Sequence, residues 1–124
     1  PVYYVQYVHS RICSILARAK ESGLDDFAAN AGLDKLTSPE EMALIKALQT
    51  YPNIIAEAGP PLSPHRLTHF LMAFAASFHS FYTVHPVLDV VLEVSQGRLN
   101  LVRAVRQVIK NGLALLGVSA PENM

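Results

Sequence analysis

Residues 2–21 have the sequence VYYVQYVHSRICSILARAKE, in which apolar side chains recur every three or four positions. This spacing predicts a helix over these residues with one apolar side. The positions on that side are Val5, Val8, Ile12, Leu16 and Ala19. Because no segment shows the alternation of a half-buried strand, the sequence predicts an all-α fold, a bundle of about five helices.

Start and stop signals place the next helices. Ser38-Pro39-Glu40-Glu41 combines a capping serine, a proline in the first turn and a glutamate at the third position. We expect a helix from this signal to about Gln49. A short third helix is expected to begin at Pro52 and to end before Gly59.

The second half of the chain repeats these signals. Ser63-Pro64 predicts the start of a mostly apolar, buried helix that runs to about Val84. Residues 86–94 fit either a short helix or an extended piece. The last helix is expected over residues 96–116. Its predicted core side is formed by Leu101, Val105, Val108, Gly112 and Leu115.

Length and composition set broad limits. A chain of 124 residues that is 51% hydrophobic can bury one domain-sized core. No apolar run reaches the roughly 18 residues that span a bilayer, and no secretory leader is recognisable. The single cysteine, Cys13, excludes an intrachain disulfide and fits a reducing compartment, so we expect a cytoplasmic protein without a membrane partner.

Charge is zero overall but unevenly distributed. Residues 1–20 carry three cations and no acid, residues 98–124 carry four cations against Glu122, and residues 21–57 are acidic. Zero net charge argues against a protein that binds nucleic acid nonspecifically along its length. If the two basic ends meet in space, however, they form one positive patch.

The first helix carries rings and cations away from its apolar side. Tyr4, Tyr7, Arg11 and Arg18 share one face at helical spacing. Tyrosine rings stack on unpaired bases, and guanidinium groups bind phosphate or stack on a base. The alternative is that the tyrosines pack against a neighbouring helix while the arginines are solvated.

Motifs at both ends and in the middle resemble those of one family. The segment Tyr4 to Arg11 is similar to a recurring Y-x-x-Y-A-H-A-R stretch, with Val8 and Ser10 in place of alanines. Residues 78–82 resemble F-H-x-F-Y, and residues 120–124 resemble an A-P-E-x-M tail. Together they resemble the C-terminal anticodon-binding domain of arginyl-tRNA synthetases, the DALR type, over nearly the whole chain.

The resemblance implies a partner and a set of contact residues. The partner would be the anticodon loop of arginine tRNA, with the central cytosine of the anticodon as the main determinant, and DNA is not expected to bind. The expected tRNA-binding residues are Tyr4, Tyr7, Arg11, Tyr82 and Met124. The alternative is a non-enzymatic helical protein-interaction domain whose basic ends bind an acidic partner.

Five further residues are weaker tRNA-binding candidates. His79 shares a helix face with Tyr82, and His85 precedes Pro86, where many bacterial members carry an arginine. The cations of the last helix form either a solvated face or a set of phosphate contacts. They are Arg103, Arg106 and Lys110.

The remaining histidines are expected to be structural. His9 lies near the apolar side of its helix, where a histidine is usually buried and bonded to backbone. His65 and His69 have the spacing of a two-histidine metal face, but no third ligand is evident nearby. We therefore expect no metal and assign these two side chains to the polar side of a helix start.

The motifs of a synthetase catalytic domain are missing. Neither the H-I-G-H-like nor the K-M-S-K-like motif occurs, and the D-A-L-R signature would lie upstream of Pro1. We therefore expect residues 1–124 to be an excised anticodon-binding domain without catalytic residues or cofactors, ending at a native C-terminus. Its own catalytic domain, which would use ATP and Mg²⁺, and its first helix would belong to the full-length enzyme.

Overall fold

The protein is described here by a computed structural model that covers residues 1–58 and 64–124. In those residues four α-helices and one 3₁₀ turn account for the regular structure, which confirms the all-α prediction. The elements are α1 (Val2–Glu21), the 3₁₀ turn (Leu33–Lys35), α2 (Pro39–Ala58), α3 (Pro64–Val84) and α4 (Leu92–Leu115). The predicted cap at Ser63 lies outside the described residues. None of these helices, over the part described, is long and apolar enough to cross a membrane.

Helix α1 has the predicted bounds and a slightly different buried side. Val5, Val8, Ile12 and Ala19 are buried as expected, while Leu16 is only half-buried. Ile15 is buried in its place because α1 packs against both α3 and α4, which widens its covered side. The first and last helices therefore lie side by side.

One helix replaces the two predicted over residues 38–58. Pro52 lies inside α2 instead of starting a new helix. A proline in a helix removes one backbone hydrogen bond and crowds the preceding turn. Packing on α3 offsets this cost, since the Tyr51 ring lies 5.6 Å from the Phe70 ring and Ile55 also packs against the core.

The predicted cap at the start of α2 is confirmed. The Glu41 backbone N–H donates to Ser38 Oγ at 3.1 Å, while Glu41 Oε1 accepts from the Ser38 backbone N–H at 3.1 Å and from its hydroxyl at 2.9 Å. The other carboxylate oxygen accepts from Arg98 Nε at 2.8 Å. Burial acts to raise the pKa of the Glu41 carboxyl, but the hydrogen bonds from Arg98 and Ser38 outweigh it and hold that pKa below its usual value.

Residues 86–91 form a non-helical connection that α4 holds in place. Ser95 Oγ donates to the Val87 carbonyl at 2.8 Å, and an Arg98 Nη donates to the Pro86 carbonyl at 2.8 Å. Asp89 has a φ of 63°, and no other non-glycine residue in the described ranges has a positive φ. Helix α4 then begins at Leu92 rather than Gln96.

The core side of α4 was predicted only in part. Leu101, Val105 and Gly112 are buried, whereas Leu115 is 53% exposed and Val108 half-buried. The burial is shared instead by Leu99, Val102, Ile109 and Leu113. Because α4 contacts α1, α2, α3 and the 3₁₀ turn, its buried surface is a wide band rather than one stripe.

The segment between α1 and α2 packs against the first half of α4. Gly32, at φ 72°, and Gly97 bring their backbones so close that a Cβ on either would collide with the other segment. Asn100 Nδ2 donates to the carbonyls of Ala28 and Ala31 at 3.1 and 3.0 Å. This packing holds α4 in register along its neighbours.

Candidate nucleic-acid interface

Helices α1 and α3 bring the predicted rings to one cleft. This ring cleft has a volume of about 310 Å³ and contains Tyr4, Tyr7 and Arg11 from α1 with His79 and Tyr82 from α3. Tyr7 is 43% exposed, and Tyr4 and Tyr82 are half-buried. Four of the five expected contact residues thus lie together, although Tyr82 is far from the other three in the sequence.

Arg11 lies between two tyrosine rings. Its Nη2 donates to Tyr7 Oη at 2.6 Å, and its Cζ lies 5.4 Å from the centroids of both the Tyr7 and the Tyr82 rings. The Tyr82 ring also stacks on Phe78, with centroids 5.7 Å apart and planes inclined by 13°. Hydrogen bonds to Tyr7 and Tyr82 raise the pKa of the Arg11 guanidinium further above its usual value. The cleft therefore holds an exposed, permanently charged planar cation among aromatic rings.

The C-terminal tail lies along α1 and adds the fifth expected residue. The Pro121 carbonyl accepts from Ser10 Oγ at 2.7 Å and from His9 Nδ1 at 2.9 Å. Residues 122–124 form a second depression of about 200 Å³, the tail cleft, with Tyr7 and Arg11. Met124 is 53% exposed there. Because Tyr7 and Arg11 line both clefts, the methionine lies next to the ring cleft.

His9 has the structural role that was predicted for it. It is 2% exposed, and its bond to the Pro121 carbonyl requires the proton on Nδ1, since a carbonyl only accepts. Its Nε2 is buried without a hydrogen-bond partner among the described residues. The histidine thus fastens the tail rather than facing a ligand.

Two weaker candidates lie away from both clefts. His85 Nε2 lies 2.7 Å from Glu40 Oε1, and this hydrogen bond lowers the pKa of the Glu40 carboxyl. The Arg103 guanidinium lies 4.6 Å from the Phe27 ring centroid, on the segment that precedes α2. Both side chains are engaged by residues of α2 or of the preceding segment, which helical spacing could not reveal.

The last two cations lie on the other side of the tail. Arg106 and Lys110 line a depression of about 110 Å³ with His9 and Cys13. Glu122 lines this depression and also the tail cleft, so the tail lies between the tyrosines and the α4 cations. The basic ends do meet, but the rings of the site come from α1 and α3.

A fourth depression was missed by sequence reasoning. This Arg18 cleft, of about 390 Å³, lies between the second half of α1 and the connection that follows α3. Its lining includes Arg18, Asp89 and Tyr82, the last shared with the ring cleft. Asp89 lies in a non-helical segment, where no periodicity could indicate its position. Only Pro86 marked this connection as unusual in sequence.

No metal centre is evident in the part of the chain that the structure describes. No group of three or more histidine, cysteine, aspartate or glutamate side chains there could hold an ion. His65 and His69 are both exposed on the first turns of α3.

Comparison with known proteins gives one consistent family. A family model described as the DALR anticodon binding domain matches residues 5–124. The arginine–tRNA ligases of Desulfosudis oleivorans and Desulfotalea psychrophila are 51% and 45% identical to this chain over its whole length, which corresponds to 23% of each relative. The solved structure of Thermus thermophilus arginyl-tRNA synthetase superposes with a TM-score of 0.84 at 33% identity, covering 98% of this chain and 21% of that one. The chain therefore spans under a quarter of the length of these relatives.

Proposed function

Because this chain belongs to the DALR anticodon binding domain family, we propose that it binds the anticodon loop of an arginine tRNA. The observation that carries the proposal is the placement of Arg11 between the rings of Tyr7 and Tyr82, with Met124 in the adjoining cleft. These groups suit unpaired nucleotides, which offer a flat face to stack on and a phosphate to neutralise.

The side chains of the ring cleft have distinct tasks in this proposal. Tyr4, Tyr7 and Tyr82 stack on splayed bases, at about 1–3 kcal/mol for each base covered. In the free domain the Arg11 guanidinium covers the Tyr82 ring, so an incoming base stacks on the guanidinium plane or displaces it toward a phosphate. Met124 covers a base with a flexible thioether that makes no demand on the base edge.

The central cytosine of the anticodon is proposed as the main determinant. A cytosine edge presents one amino donor and two acceptors, and a site that pairs these groups rejects a uridine, which has an acceptor in place of the amino donor and a donor at N3. His79 lines the ring cleft and is a candidate for such an edge contact. Leaving a buried polar group of the site unpaired is the penalty that discriminates between the two bases.

Arg106 and Lys110 are proposed to contact phosphates across the tail. Such contacts position an RNA without reading its sequence. We assign neither His85 nor Arg103 to the RNA, because Glu40 and Phe27 already engage them.

We further propose that this domain serves a longer cytoplasmic arginine–tRNA ligase, in which a catalytic domain outside this chain uses ATP and Mg²⁺. The glycines of α4 do not provide a phosphate-binding loop. Gly97 lies against the Gly32 backbone, and a Cβ on Gly112 would meet the Leu71 side chain. No residue described here is therefore assigned to ATP.

Binding of an anticodon stem-loop tests the proposal. In a fluorescence anisotropy titration, replacing the central cytosine by uridine should weaken binding at least about fivefold, as expected for a lost edge contact. Swapping one base pair of the stem is the control and should leave the affinity unchanged. Equal affinity for the cytosine and uridine loops would refute anticodon recognition and favour the alternative, a protein-interaction domain that takes up RNA only through its charge.

A further inference from the structure

Three side chains of α1 fasten the C-terminal tail to the bundle. Gln6 Nε2 donates to the Ser119 carbonyl at 2.9 Å. The Pro121 carbonyl accepts from His9 Nδ1 at 2.9 Å and from Ser10 Oγ at 2.7 Å. We propose that this tail anchor, the three donors with the two carbonyls, sets the affinity for RNA. Its donors are positioning residues, which act through the end of the tail instead of contacting a nucleotide. The inference rests on the proposed function.

The helix itself places the anchor beside the RNA-facing side chains. Gln6, His9 and Ser10 are spaced by three and four positions, which puts them on one side of α1. Tyr7 and Arg11, which line the ring cleft, each follow an anchor residue by one position. Successive residues lie about 100° apart around a helix. The side of α1 that holds the tail therefore adjoins the side that faces the ring cleft.

The anchor holds the tail only up to Pro121. The carbonyls at positions 119 and 121 accept its hydrogen bonds, and the side chains of Val118 and Ala120 pack against the core. Residues 122–124 are exposed and make no hydrogen bond within the described part of the chain. Only this short segment, which ends at Met124, is left free to adjust to a base.

The expected size of the effect follows from the length of the tether that carries Met124. The Val118 N–H donates to the Leu113 carbonyl at 2.9 Å and fixes the chain at the end of α4. Without the anchor, residues 119–124 form the tether, and with it only residues 122–124 do. The effective concentration of a tethered group falls roughly as the −3/2 power of tether length, so halving the tether raises it about threefold.

Burial keeps the anchor donors away from the RNA. His9 and Ser10 are 2% and 6% exposed, and the donors that they use are already bonded to the tail. Gln6 is half-buried, and its amide is engaged by the Ser119 carbonyl. An effect of these side chains on RNA binding therefore passes through the tail.

The test compares anchor variants with and without Met124, in anisotropy titrations of the 124-residue chain with an anticodon stem-loop. Gln6→Ala combined with Ser10→Ala should weaken binding about threefold, the factor expected when the tether doubles in length. In a chain that lacks Met124, the same pair of substitutions should change the affinity by less than about 1.5-fold. Side chains that contacted the RNA directly would instead cause the same loss in both chains.

His9 offers a second measurement because its donor can be restored. The amide nitrogen of asparagine is as many bonds from Cα as His9 Nδ1, whereas that of glutamine is one bond farther. Ser10→Ala combined with His9→Gln leaves the Pro121 carbonyl without a donor and should weaken binding about threefold. Ser10→Ala combined with His9→Asn restores one donor and should bind within about 1.5-fold of the unmodified chain.

Asn100→Ala is the matched control for stability. Asn100 Nδ2 donates to the carbonyls of Ala28 and Ala31, so this substitution also removes two bonds between a side chain and a distant backbone segment. The residue lines neither the ring cleft nor the tail cleft. In urea denaturation it should lose about as much stability as the variant with alanine at positions 6 and 10. Its affinity for the loop should stay within about 1.5-fold.

The outcomes separate this inference from the proposed function. The tail anchor does not set the affinity if the variant with alanine at positions 6 and 10 binds like the unmodified chain. The same conclusion follows if its loss persists without Met124, or if Asn100→Ala weakens binding equally. In each case a preference for the cytosine loop over the uridine loop would leave anticodon recognition standing. Equal affinity for those two loops would refute anticodon recognition, and this inference with it.

Discussion

Replacing Tyr82 by alanine should weaken loop binding by about 2 kcal/mol, or roughly thirtyfold. The estimate follows from the position of the ring, which lines the ring cleft, stacks on Phe78 and lies 5.4 Å from the Arg11 Cζ. Alanine removes the stacking surface and also one of the two rings that hold Arg11 in place. Tyr82→Phe keeps the ring and should stay within about threefold of the unmodified chain.

The substitution also acts on the fold, so a matched control is needed. Tyr82 is half-buried, and its loss should lower the free energy of unfolding by about 2 kcal/mol, roughly half the cost of a fully buried ring. Tyr51 is half-buried too, and its ring lies 5.6 Å from Phe70, but it lies on α2 and lines neither the ring cleft nor the tail cleft. Tyr51→Ala should therefore cost similar stability and leave binding within about twofold.

The assay compares anisotropy titrations of the three variants with urea denaturation followed by circular dichroism. An RNA-facing Tyr82 requires that Tyr82→Ala loses binding while Tyr51→Ala loses stability alone. If Tyr82→Ala lowers the affinity for the loop by less than about threefold, the ring does not make the stacking contribution expected of an RNA-facing tyrosine. Tyr82 would then not belong to the interface. Equal losses of affinity in the two alanine variants would show that binding follows global stability instead.

Three further predictions concern the cap, a glycine contact and the tail. Glu41→Ala should lower the free energy of unfolding by about 3–4 kcal/mol at neutral pH, because it removes a helix cap and leaves the mostly buried Arg98 without its ion-pair partner. A loss of less than about 1 kcal/mol in urea denaturation would contradict this prediction. Because the pKa of Glu41 is held below its usual value, its stabilisation is complete at neutral pH and is lost as the pH falls below that usual value and through the folded-state pKa. Glu41→Gln should therefore flatten the acid decline of the melting temperature. Gly97→Ala should lower the free energy of unfolding by about 2 kcal/mol or more in the same assay, because its Cβ would collide with the Gly32 backbone. The control Gly23→Ala, which places a Cβ in open space at a φ of 82°, should cost only about 1 kcal/mol. Deleting Met124 should weaken loop binding about threefold to tenfold without changing the melting temperature, since the side chain is half-exposed; unchanged affinity would exclude it from RNA contact.

Local signals predicted local structure well. The bounds of α1 follow from the spacing of its own apolar residues, and the start of α2 follows from two side chains three positions apart. The predicted break at Pro52 was wrong because what sustains the helix there is tertiary, the packing of Tyr51 on α3. Leu115 was likewise misassigned, since several neighbouring helices decide which part of α4 is covered.

The site was predictable where it lies on helices. Tyr7 and Arg11 share a face at a spacing of four residues, and the family resemblance indicated that Tyr82 faces the same ligand. By contrast, His85 is bonded to a carboxylate 45 positions away, and no local pattern records such a partner. Asp89 could not be placed either, because its orientation depends on a strained backbone and on hydrogen bonds from α4 to the neighbouring carbonyls.

The attachment of the tail to α1 has a consequence for the order in which the molecule assembles. The hydrogen bonds from His9 and Ser10 to Pro121 join positions 112 and 111 residues apart. Contacts of such long sequence separation pay a large loop-closure entropy unless the intervening chain has already folded. The bundle must therefore form first, and the end of the chain docks last and detaches most readily. In native-state hydrogen exchange, the backbone amides of the tail that ends at Met124 should exchange well before those of the helices.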